Sequence, residues 1–333
     1  MRLTEPSTQS EAAAAIALCR AGAIEDGIAL YRKILKQTDT LPVGLHLRFL
    51  QSSGLHDIAH IIRKEALAAG ADLCVNEAME MAPLAIANEY SDLFSQGLIN
   101  ARMISNYLVA LCKLGARDEL GAIIDPDKRL EITQLTFEES GTAHWKLLEQ
   151  ILLDAESNDT WEEATLSVRK MHKISHLDRR PGQLIQSTIA ELDRQVARYV
   201  TNWRKSDHPI SRWVPDRFRI STWAIISHGE GYNVPHTHKD GWVSGVLYVT
   251  GPACADDGLD APGALRIGPP PGVEDISGWP NISIVPTPGT LVLMPSYYTH
   301  WTVPLGRPSL RIAIAFDAIE LRNDQDINPP PKM

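Results

Sequence analysis

The chain has 333 residues with a formal net charge of -9, and 44% of its residues are hydrophobic while 22% are charged. This length allows two domains or one large domain with an extension, and the composition is typical of a globular protein. The acidic balance argues against a nucleic-acid partner, which would favour a basic face. No apolar run approaches the ~20 residues that cross a bilayer, and no secretory signal is visible. We therefore expect a cytoplasmic protein without a membrane partner.

The first part of the chain is predicted to be helical. Apolar residues follow the helical period between residues 10 and 36, with a break at Ala21-Gly22. Segments 22–26, 54–57 and 115–118 each begin with glycine and lead into an amphipathic stretch. This pattern is similar to degenerate tetratricopeptide-like repeats, and an irregular helical domain is the open alternative. We predict a helical domain over residues 1–125, of a kind that binds peptides or supports a neighbouring domain.

Four cysteines are spread along the chain, at Cys19, Cys74, Cys112 and Cys254. None belongs to a Cys-x-x-Cys pair, and three lie in apolar, helix-like stretches. We expect reduced, small core residues rather than disulfides or metal ligands.

The middle of the chain changes its periodicity several times. A helix is predicted over residues 138–154, and an alternating pattern over 165–177 predicts a strand whose face also carries Lys170 and His172. Those two side chains either reach a site or lie in solvent. Residues 184–203 are predicted to form an amphipathic helix, with an apolar stripe that packs on the core.

After about residue 210 the chain becomes rich in proline, glycine and short β-type runs. The predicted strands cover residues 218–227, 242–250, 263–268, 282–285, 290–294 and 311–317. Many short strands separated by turn residues indicate a sandwich or a barrel. The predicted fold class is α+β: an N-terminal helical, tetratricopeptide-like region, then a double-stranded β-helix (jelly roll) with buttressing helices. The second domain is predicted over residues 126–333, with its core at 210–320.

The segment His236-Thr237-His238-Lys239-Asp240 is the best candidate for a metal site. In a strand, side chains two apart share a face, so His236, His238 and Asp240 would project together. His300 follows downstream. Imidazoles and a carboxylate with open coordination positions are the ligand set of non-haem Fe(II) oxygenases. The alternative is a set of polar loop residues.

Arg311 lies on the last predicted strand and is the candidate carboxylate-binding cation, because guanidinium binds carboxylates through two parallel hydrogen bonds. The alternative is that Arg311 is a surface residue of the strand. Arg307, which lies in a turn, is the other candidate for binding the carboxylate. Other predicted pocket residues are Tyr232, Asn233, Trp242, Ser244 and Tyr248. Of these, Tyr232, Ser244 and Tyr248 are the candidates for binding the cofactor together with Arg311.

Residues 215–320 resemble a family of 2-oxoglutarate/Fe(II) oxygenases with the pattern His-x-His-x-x-Gly-Trp-x-Ser-Gly-Val-x-Tyr-Val. In that family a Pro-Gly-x-Leu-Val-Leu-x-Pro-Ser run ending in His follows, and then Arg-Ile-x-Ile-Ala-Phe. This chain has these elements at His236–Val249, at Pro288–His300 and at Arg311–Phe316. The resemblance implies binding of Fe(II) and 2-oxoglutarate, use of O2, and a hydroxylation-type reaction. It also implies catalytic roles for His236, His238, His300 and Arg311. Tetratricopeptide-like helices often precede the oxygenase domain in such proteins.

The sequence leaves two candidates for the third metal ligand, His238 and Asp240. The general facial pattern His-x-Asp would select His238, Asp240 and His300, whereas the family pattern emphasises His-x-His. We therefore expect His236 and His300 as ligands, with either His238 or Asp240 as the third. The remaining residue would orient a ligand through a hydrogen bond.

The predicted function is a 2-oxoglutarate-dependent non-haem iron dioxygenase that hydroxylates a C–H bond and releases succinate and CO2. The expected substrate is a peptide or protein, or an amino-acid-like small molecule. Assembly as a homodimer is left open by the sequence. One alternative is a His-rich cupin metalloenzyme that does not use 2-oxoglutarate. The other is a non-catalytic scaffold in which helical repeats bind a partner.

Overall fold

A computed structural model describes most of the second half of the chain and parts of the first. The described residues are 14–15, 17–19, 21–37, 58, 61–65, 83–137, 142–158, 162–163, 167–251, 260–270, 273, 279–306 and 309–321. The chain divides into two compact units, Met1–Ile99 and Asn100–Met333. The predicted boundary between residues 125 and 126 falls within the second of these units. The division into domains at residues 1–125 and 126–333 stays a prediction.

The described part of the first unit is helical. It contains α1 (Ile24–Gln37) and α2 (Pro83–Ser95), together with a helical stretch at residues 61–65. Arg63 and Glu89 form a buried ion pair within this unit, with 2.6 Å between the nitrogen and the oxygen. The second of the three proposed repeat starts, at 54–57, lies outside the described residues. The tetratricopeptide-like arrangement therefore stays a prediction.

The second unit has helices around its sheets. They are α3 (Ala101–Leu114), α4 (Arg117–Ile124), α5 (Pro126–Arg129), α6 (Thr142–Asn158) and α7 (Gln183–Arg204). Asn100 caps α3, because its side-chain oxygen accepts a hydrogen bond from the Met103 amide at 2.9 Å. Gly115 ends α3 in the left-handed conformation, with φ at 67°. The predicted helices at 138–154 and 184–203 are confirmed as α6 and α7, each with slightly shifted ends.

A seven-stranded antiparallel sheet is the main element of the second unit. Its strands, in spatial order, are β1 (Glu131–Gln134), β10 (Thr290–Pro295), β7 (Val243–Thr250), β12 (Arg311–Glu320), β5 (Phe218–Ser227), β4 (His172–Ser175) and β2 (Glu162–Glu163). The long strands β12 and β5 pair from Arg311↔Ser227 to Glu320↔Phe218. Alternate residues of β12, such as Ile312 and Phe316, are fully buried. The intervening residues face a cavity.

Two smaller sheets accompany the large one. The first has three antiparallel strands in the order β11 (His300–Thr302), β8 (Leu265–Ile267) and β9 (Ile282–Ile284). The second pairs β3 (Val168–Arg169) with β6 (Tyr232–Asn233). An isolated antiparallel bridge joins His236 to His300. This bridge connects the segment after β6 to the start of β11.

The predicted mixture of N-terminal helices and a largely antiparallel β region is confirmed, and each of the six strands predicted after residue 210 has a counterpart. The finer jelly-roll arrangement stays a prediction. The single strand predicted over 165–177 is wrong. The structure has two short strands there, β3 and β4, because Lys170 has φ at 50° and breaks the extended backbone.

Two other predictions concern burial and membrane contact. Cys19 and Cys112 are free and buried, as predicted, whereas Cys74 and Cys254 lie outside the described residues. Among the described helices, none combines the length and the apolar character of a membrane span. The cytoplasmic location stays a prediction.

Candidate metal centre

A cavity of about 440 Å³ lies against the inner face of the seven-stranded sheet. Strand alternation explains its walls, because residues two apart on a strand share a face. On β12 the cavity is lined by Arg311, Ala313, Ala315 and Asp317, and on β7 by residues that include Ser244, Val246 and Tyr248. The three-stranded sheet contributes Leu265, His300 and Thr302. The cavity is thus walled by residues of both sheets.

Three histidines converge in this cavity. His236, His238 and His300 each offer a ring nitrogen, and these three atoms lie within 4.8 Å of one another. The backbone bridge sets the positions of two of them, since the His236 amide donates to the His300 carbonyl at 3.1 Å and the reverse bond measures 3.0 Å. The Nε2 atoms of His236 and His238 lie 3.2 Å apart. The histidines therefore form one compact cluster.

Hydrogen bonds fix which nitrogen of each ring faces the cluster. His236 Nδ1 donates to the Val234 carbonyl at 2.8 Å, and His300 Nδ1 donates to the Tyr298 carbonyl at 3.0 Å. His238 Nδ1 donates to Asp317 Oδ1 at 2.6 Å. With every Nδ1 carrying the donated proton, each neutral ring has its lone pair on Nε2. Three unprotonated ring nitrogens within 4.8 Å of one another, each ring held by a hydrogen bond from Nδ1, are the arrangement expected of metal-bound imidazoles.

The spacing of the cluster also fits a metal ion. Metal–imidazole bonds are about 2.0–2.1 Å long for Zn²⁺, so two nitrogens at right angles around such an ion lie roughly 3 Å apart. The 3.2 Å between the Nε2 atoms of His236 and His238 matches this value. Without a cation or a proton between them, two neutral acceptors would be in unfavourable contact there.

Asp317 anchors the cluster to the sheet. Its Oδ1 accepts from His238 and also from the Ser244 hydroxyl at 2.8 Å, and Ser244 Oγ lies 2.8 Å from Ser296 Oγ. Asp317 was not among the site residues predicted from the sequence. The alternation of the predicted strand could have identified it, because Asp317 lies an even number of residues from Arg311 and therefore on the same face.

Burial and charge separate the pKa values of the three rings. Burial, together with the neighbouring His238, lowers the pKa of His236 to about 4. Burial and the two other rings hold the pKa of His300 well below its usual value. Burial also acts to lower the pKa of His238, but the charge and hydrogen bond of Asp317 outweigh it and raise this pKa. In the absence of a metal, His238 is thus the first ring of the three to take up a proton.

Arg311 lies at another wall of the cavity and is 3% exposed. Its guanidinium donates to the Gly231 carbonyl at 3.2 Å and to Thr302 Oγ1 at 3.3 Å, with longer contacts to Gly263 and Met171. None of the acidic side chains that the structure describes forms an ion pair with it. Burial lowers the pKa of this guanidinium, and a buried cation without an anionic partner is a candidate anion site.

The distance from Arg311 to the histidines follows from β11. His300 and Thr302 are two residues apart on this strand and both line the cavity, which corresponds to roughly 7 Å along an extended backbone. The guanidinium contacts Thr302. An anion bound by Arg311 would therefore lie about one short dicarboxylic acid away from the cluster.

Of the other predicted site residues, some line the cavity and others do not. Tyr248 and Asn233 line the cavity, and burial raises the pKa of Tyr248 to about 12 although the charge of Arg311 acts the other way. Ser244 lines it too, but its hydroxyl donates to Asp317. Tyr232 and Trp242 are described but are not among the lining residues. Arg307 lies outside the described residues.

Asp240 does not join the ligand cluster. It lines the cavity but is exposed, and the group of converging ligand atoms consists of the three histidines. The alternation that grouped His236, His238 and Asp240 requires an extended strand, whereas this segment has only the isolated bridge at His236. The geometry therefore favours His238 over Asp240.

Of the two alternatives for Lys170 and His172, the structure has both side chains outside the cavity. Lys170 is exposed and paired with Glu230, and His172 contacts Glu156, so neither reaches the cavity. Lys173, one residue along, does line it, with its Nζ 5.2 Å from the centre of the Trp223 ring. Thr302 and Trp223 are further lining residues that the sequence analysis missed, because their selection depends on how the strands pair.

Comparison with known proteins agrees with this geometry. Residues 221–317 match the family model described as "Putative 2OG-Fe(II) oxygenase". The matched segment runs from within β5 to within β12 and contains the three histidines, Arg311 and Asp317. It supports the family resemblance noted from the sequence motifs. The search of curated proteins found no match.

Several solved structures are similar at low scores. A prolyl-4-hydroxylase from Pseudomonas putida is 13% identical with a TM-score of 0.43, and the match covers 60% of this chain and 98% of that chain. A prolyl hydroxylase from Trichoplax adhaerens, in complex with a hypoxia inducible factor peptide fragment, is 14% identical with a TM-score of 0.41 and coverages of 62% and 92%. HygX from Streptomyces hygroscopicus, with nickel and 2-oxoglutarate bound, is 11% identical with a TM-score of 0.39 and coverages of 60% and 85%. At these scores the likenesses support no statement about the activity of this chain.

Proposed function

We propose that this protein is an Fe(II)- and 2-oxoglutarate-dependent dioxygenase that hydroxylates a C–H bond. The observation that carries the proposal is one cavity with three converging imidazoles and a buried guanidinium that has no acidic partner among the described residues. The family match over residues 221–317 supports the same class. The cofactors of this class are Fe(II), 2-oxoglutarate and O2.

His236, His238 and His300 would hold the iron. Imidazole suits Fe(II), and the donated Nδ1 protons leave the Nε2 lone pairs free for it. When bound, iron together with 2-oxoglutarate and O2 supplies the oxidising power for C–H hydroxylation, with succinate and CO2 as the other products. Asp317 holds the His238 ring in place, and its negative charge offsets part of the charge that three neutral ligands leave on the metal.

Arg311 would bind the distal carboxylate of 2-oxoglutarate. The guanidinium can form two parallel hydrogen bonds to a carboxylate. Tyr248 is a neutral phenol near neutral pH, since its pKa is raised to about 12, and it can donate a further hydrogen bond. Thr302 accepts from Arg311 and so orients it. Burial of these groups excludes water and strengthens the charge interaction.

We propose a peptide or protein, or an amino-acid-like molecule, as the substrate. The cavity also has Lys173 and Trp223 in its wall, so a polar group of the substrate can meet a cation and an aromatic face there. Helical repeats, which are the arrangement predicted for the first unit, often bind peptides. Succinate formation with candidate peptides and with metabolite extracts would distinguish these substrate classes.

An Arg311 series tests the proposed cosubstrate. We expect Arg311→Ala to abolish 2-oxoglutarate-dependent succinate formation while iron binding is kept, because Arg311 lies outside the histidine cluster. Arg311→Lys retains the positive charge but cannot form the two parallel hydrogen bonds of a guanidinium. It should therefore retain a weakened 2-oxoglutarate-dependent formation of succinate. Turnover that is unchanged in Arg311→Ala would point instead to a His-rich cupin that does not use 2-oxoglutarate.

Iron content tests the metal site separately. After anaerobic reconstitution we expect stoichiometric iron in the native protein and a large loss in a His236→Ala/His300→Ala variant. Equal iron in both proteins would overturn the proposed site and favour a non-catalytic scaffold.

A further inference from the structure

A second cluster of metal-ligating side chains lies on the opposite face of the seven-stranded sheet. It consists of Glu156 near the end of α6, His172 at the start of β4 and His228 directly after β5. Their ligand atoms all lie within 4.8 Å of one another. Lys173 and Ile225 line the cavity, so strand alternation turns His172 and His228 to the other side. This cluster is therefore separate from the three-histidine centre.

The three side chains are already held together. The Glu156 carboxylate contacts His172 Nδ1 and accepts from His228 Nε2, with distances of 2.9 and 3.1 Å from Nε2 to its two oxygens. The imidazole rings lie 5.8 Å apart between their centres. The side chain of Glu156 is 11% exposed, whereas that of His228 is 54% exposed. The carboxylate of Glu156 is thus mostly shielded from solvent and held by both rings, whereas the His228 ring is open to solvent.

We propose that Glu156, His172 and His228 form a second divalent metal site, suited to Zn²⁺ or a similar transition ion. Two imidazoles and one carboxylate are a typical set for such ions, and water can fill the remaining position on the open side. Ca²⁺ and Mg²⁺ prefer sets made of oxygen ligands and would bind poorly. A shift of the ring tautomers would turn the lone pairs of His172 Nδ1 and His228 Nε2 towards the ion.

The site would join three separate elements. The ion would connect α6 to β4 and to the end of β5, and these two strands also carry Lys173, Trp223 and Ile225 in the cavity wall. An ion that binds only the folded state stabilises it in proportion to the logarithm of its concentration over its dissociation constant. We therefore expect a structural ion that stiffens the back wall of the cavity.

Metal stoichiometry tests the second site without any measurement of enzyme activity. Metal-free protein is equilibrated with Zn²⁺, and bound zinc is counted per chain by mass spectrometry. We expect two ions in the native protein, one in His228→Asn and one in His236→Asn/His300→Asn. His176→Asn is the matched control, because His176 is exposed and has φ at 59°, a conformation that asparagine tolerates. This control should retain both ions.

A thermal readout separates the two sites. In the His236→Asn/His300→Asn variant, Zn²⁺ should still raise Tm, and adding Glu156→Gln should remove that rise. If His228→Asn binds as many zinc ions as the native protein, the second site is overturned, whether that number is one or two. If the double histidine variant does not fold, the comparison of native protein, His228→Asn and His176→Asn still decides the question.

Discussion

His238 Nδ1 and Asp317 Oδ1 are joined by a 2.6 Å hydrogen bond, which connects the histidine cluster to the central strand β12. Because the carboxylate fixes both the orientation and the basicity of the ring, its neutral replacement should weaken metal binding. We expect Asp317→Asn to lower Fe(II) or Co²⁺ affinity by roughly 10- to 100-fold, the usual effect of losing such an outer partner. Anaerobic titration monitored by Co²⁺ absorbance measures this.

Ser244→Ala is the control for the Asp317 prediction. It removes one donor to the carboxylate but keeps its charge, so the loss of affinity should be smaller. Equal affinity in native protein and Asp317→Asn would show that the negative charge of Asp317 has no role in holding the metal.

The depressed pKa values of His236 and His300 predict a pH-dependent stability of the metal-free protein. In the unfolded chain both rings return to the ordinary value of 6.5, whereas burial holds them lower in the fold, at about 4 for His236. As the pH falls below 6.5, the unfolded state binds protons first, so the free energy of unfolding should fall, and the contribution of His236 to this fall should end at about pH 4. Above pH 6.5 this contribution is complete. Urea unfolding in the presence of a chelator measures the profile.

His238 acts in the opposite direction. Its raised pKa gives a contribution that is complete below 6.5 and is lost as the pH rises through the folded-state pKa. We therefore expect His300→Asn to flatten the loss of stability below pH 6.5 and His238→Asn to remove the loss of stability above pH 6.5. An identical slope in native protein and His300→Asn would contradict the assigned direction.

Close packing between β7 and β12 makes Gly245 a stability determinant. A Cβ at this position would lie 2.1 Å from Phe316 Cζ, and Phe316 is fully buried. Gly245→Ala should destabilise the fold by about 1–3 kcal/mol, as expected for overpacking in a core. Gly121→Ala is the control, since nothing lies within 4 Å of its added Cβ. In α4 that change should be neutral or stabilise by up to about 1 kcal/mol. Chemical denaturation of both variants provides the comparison.

The sequence predicted the strands better than the hydrogen-bond partners of the histidines, and strand pairing explains the difference. The strand predicted over 311–317 is β12, because its apolar residues and flanking turns are local signals. Asp317 holds its place beside Ser244 because β12 pairs with β7 there. Such pairing between strands distant in sequence is not visible in a local pattern. Asp240 lies outside the group of converging ligand atoms for a different reason, because a period of two applies only within an extended strand.

Strand β4 illustrates the same limit at the level of one residue. The pattern over 165–177 identified extended backbone near His172, but it put His172 and not Lys173 on the face of interest. The turn at Lys170, with φ at 50°, interrupts the alternation, and a change of one residue moves a side chain to the other face. No local signal in the sequence marked that turn.

A Tyr248→Phe substitution tests the cosubstrate pocket without disturbing the metal ligands. Tyr248 is 1% exposed, lines the cavity and responds to the charge of Arg311. If its hydroxyl donates to the bound 2-oxoglutarate carboxylate, its loss costs about 0.5–1.5 kcal/mol, which is a rise of roughly 2- to 13-fold in KM for 2-oxoglutarate. Tyr297→Phe is a matched control, because the Tyr297 hydroxyl is also buried but donates to the Ile123 carbonyl at 3.1 Å. It should lower stability and leave this KM unchanged. Steady-state succinate formation over a range of 2-oxoglutarate concentrations measures both variants, and an equal KM in the two would remove Tyr248 from the pocket's binding groups.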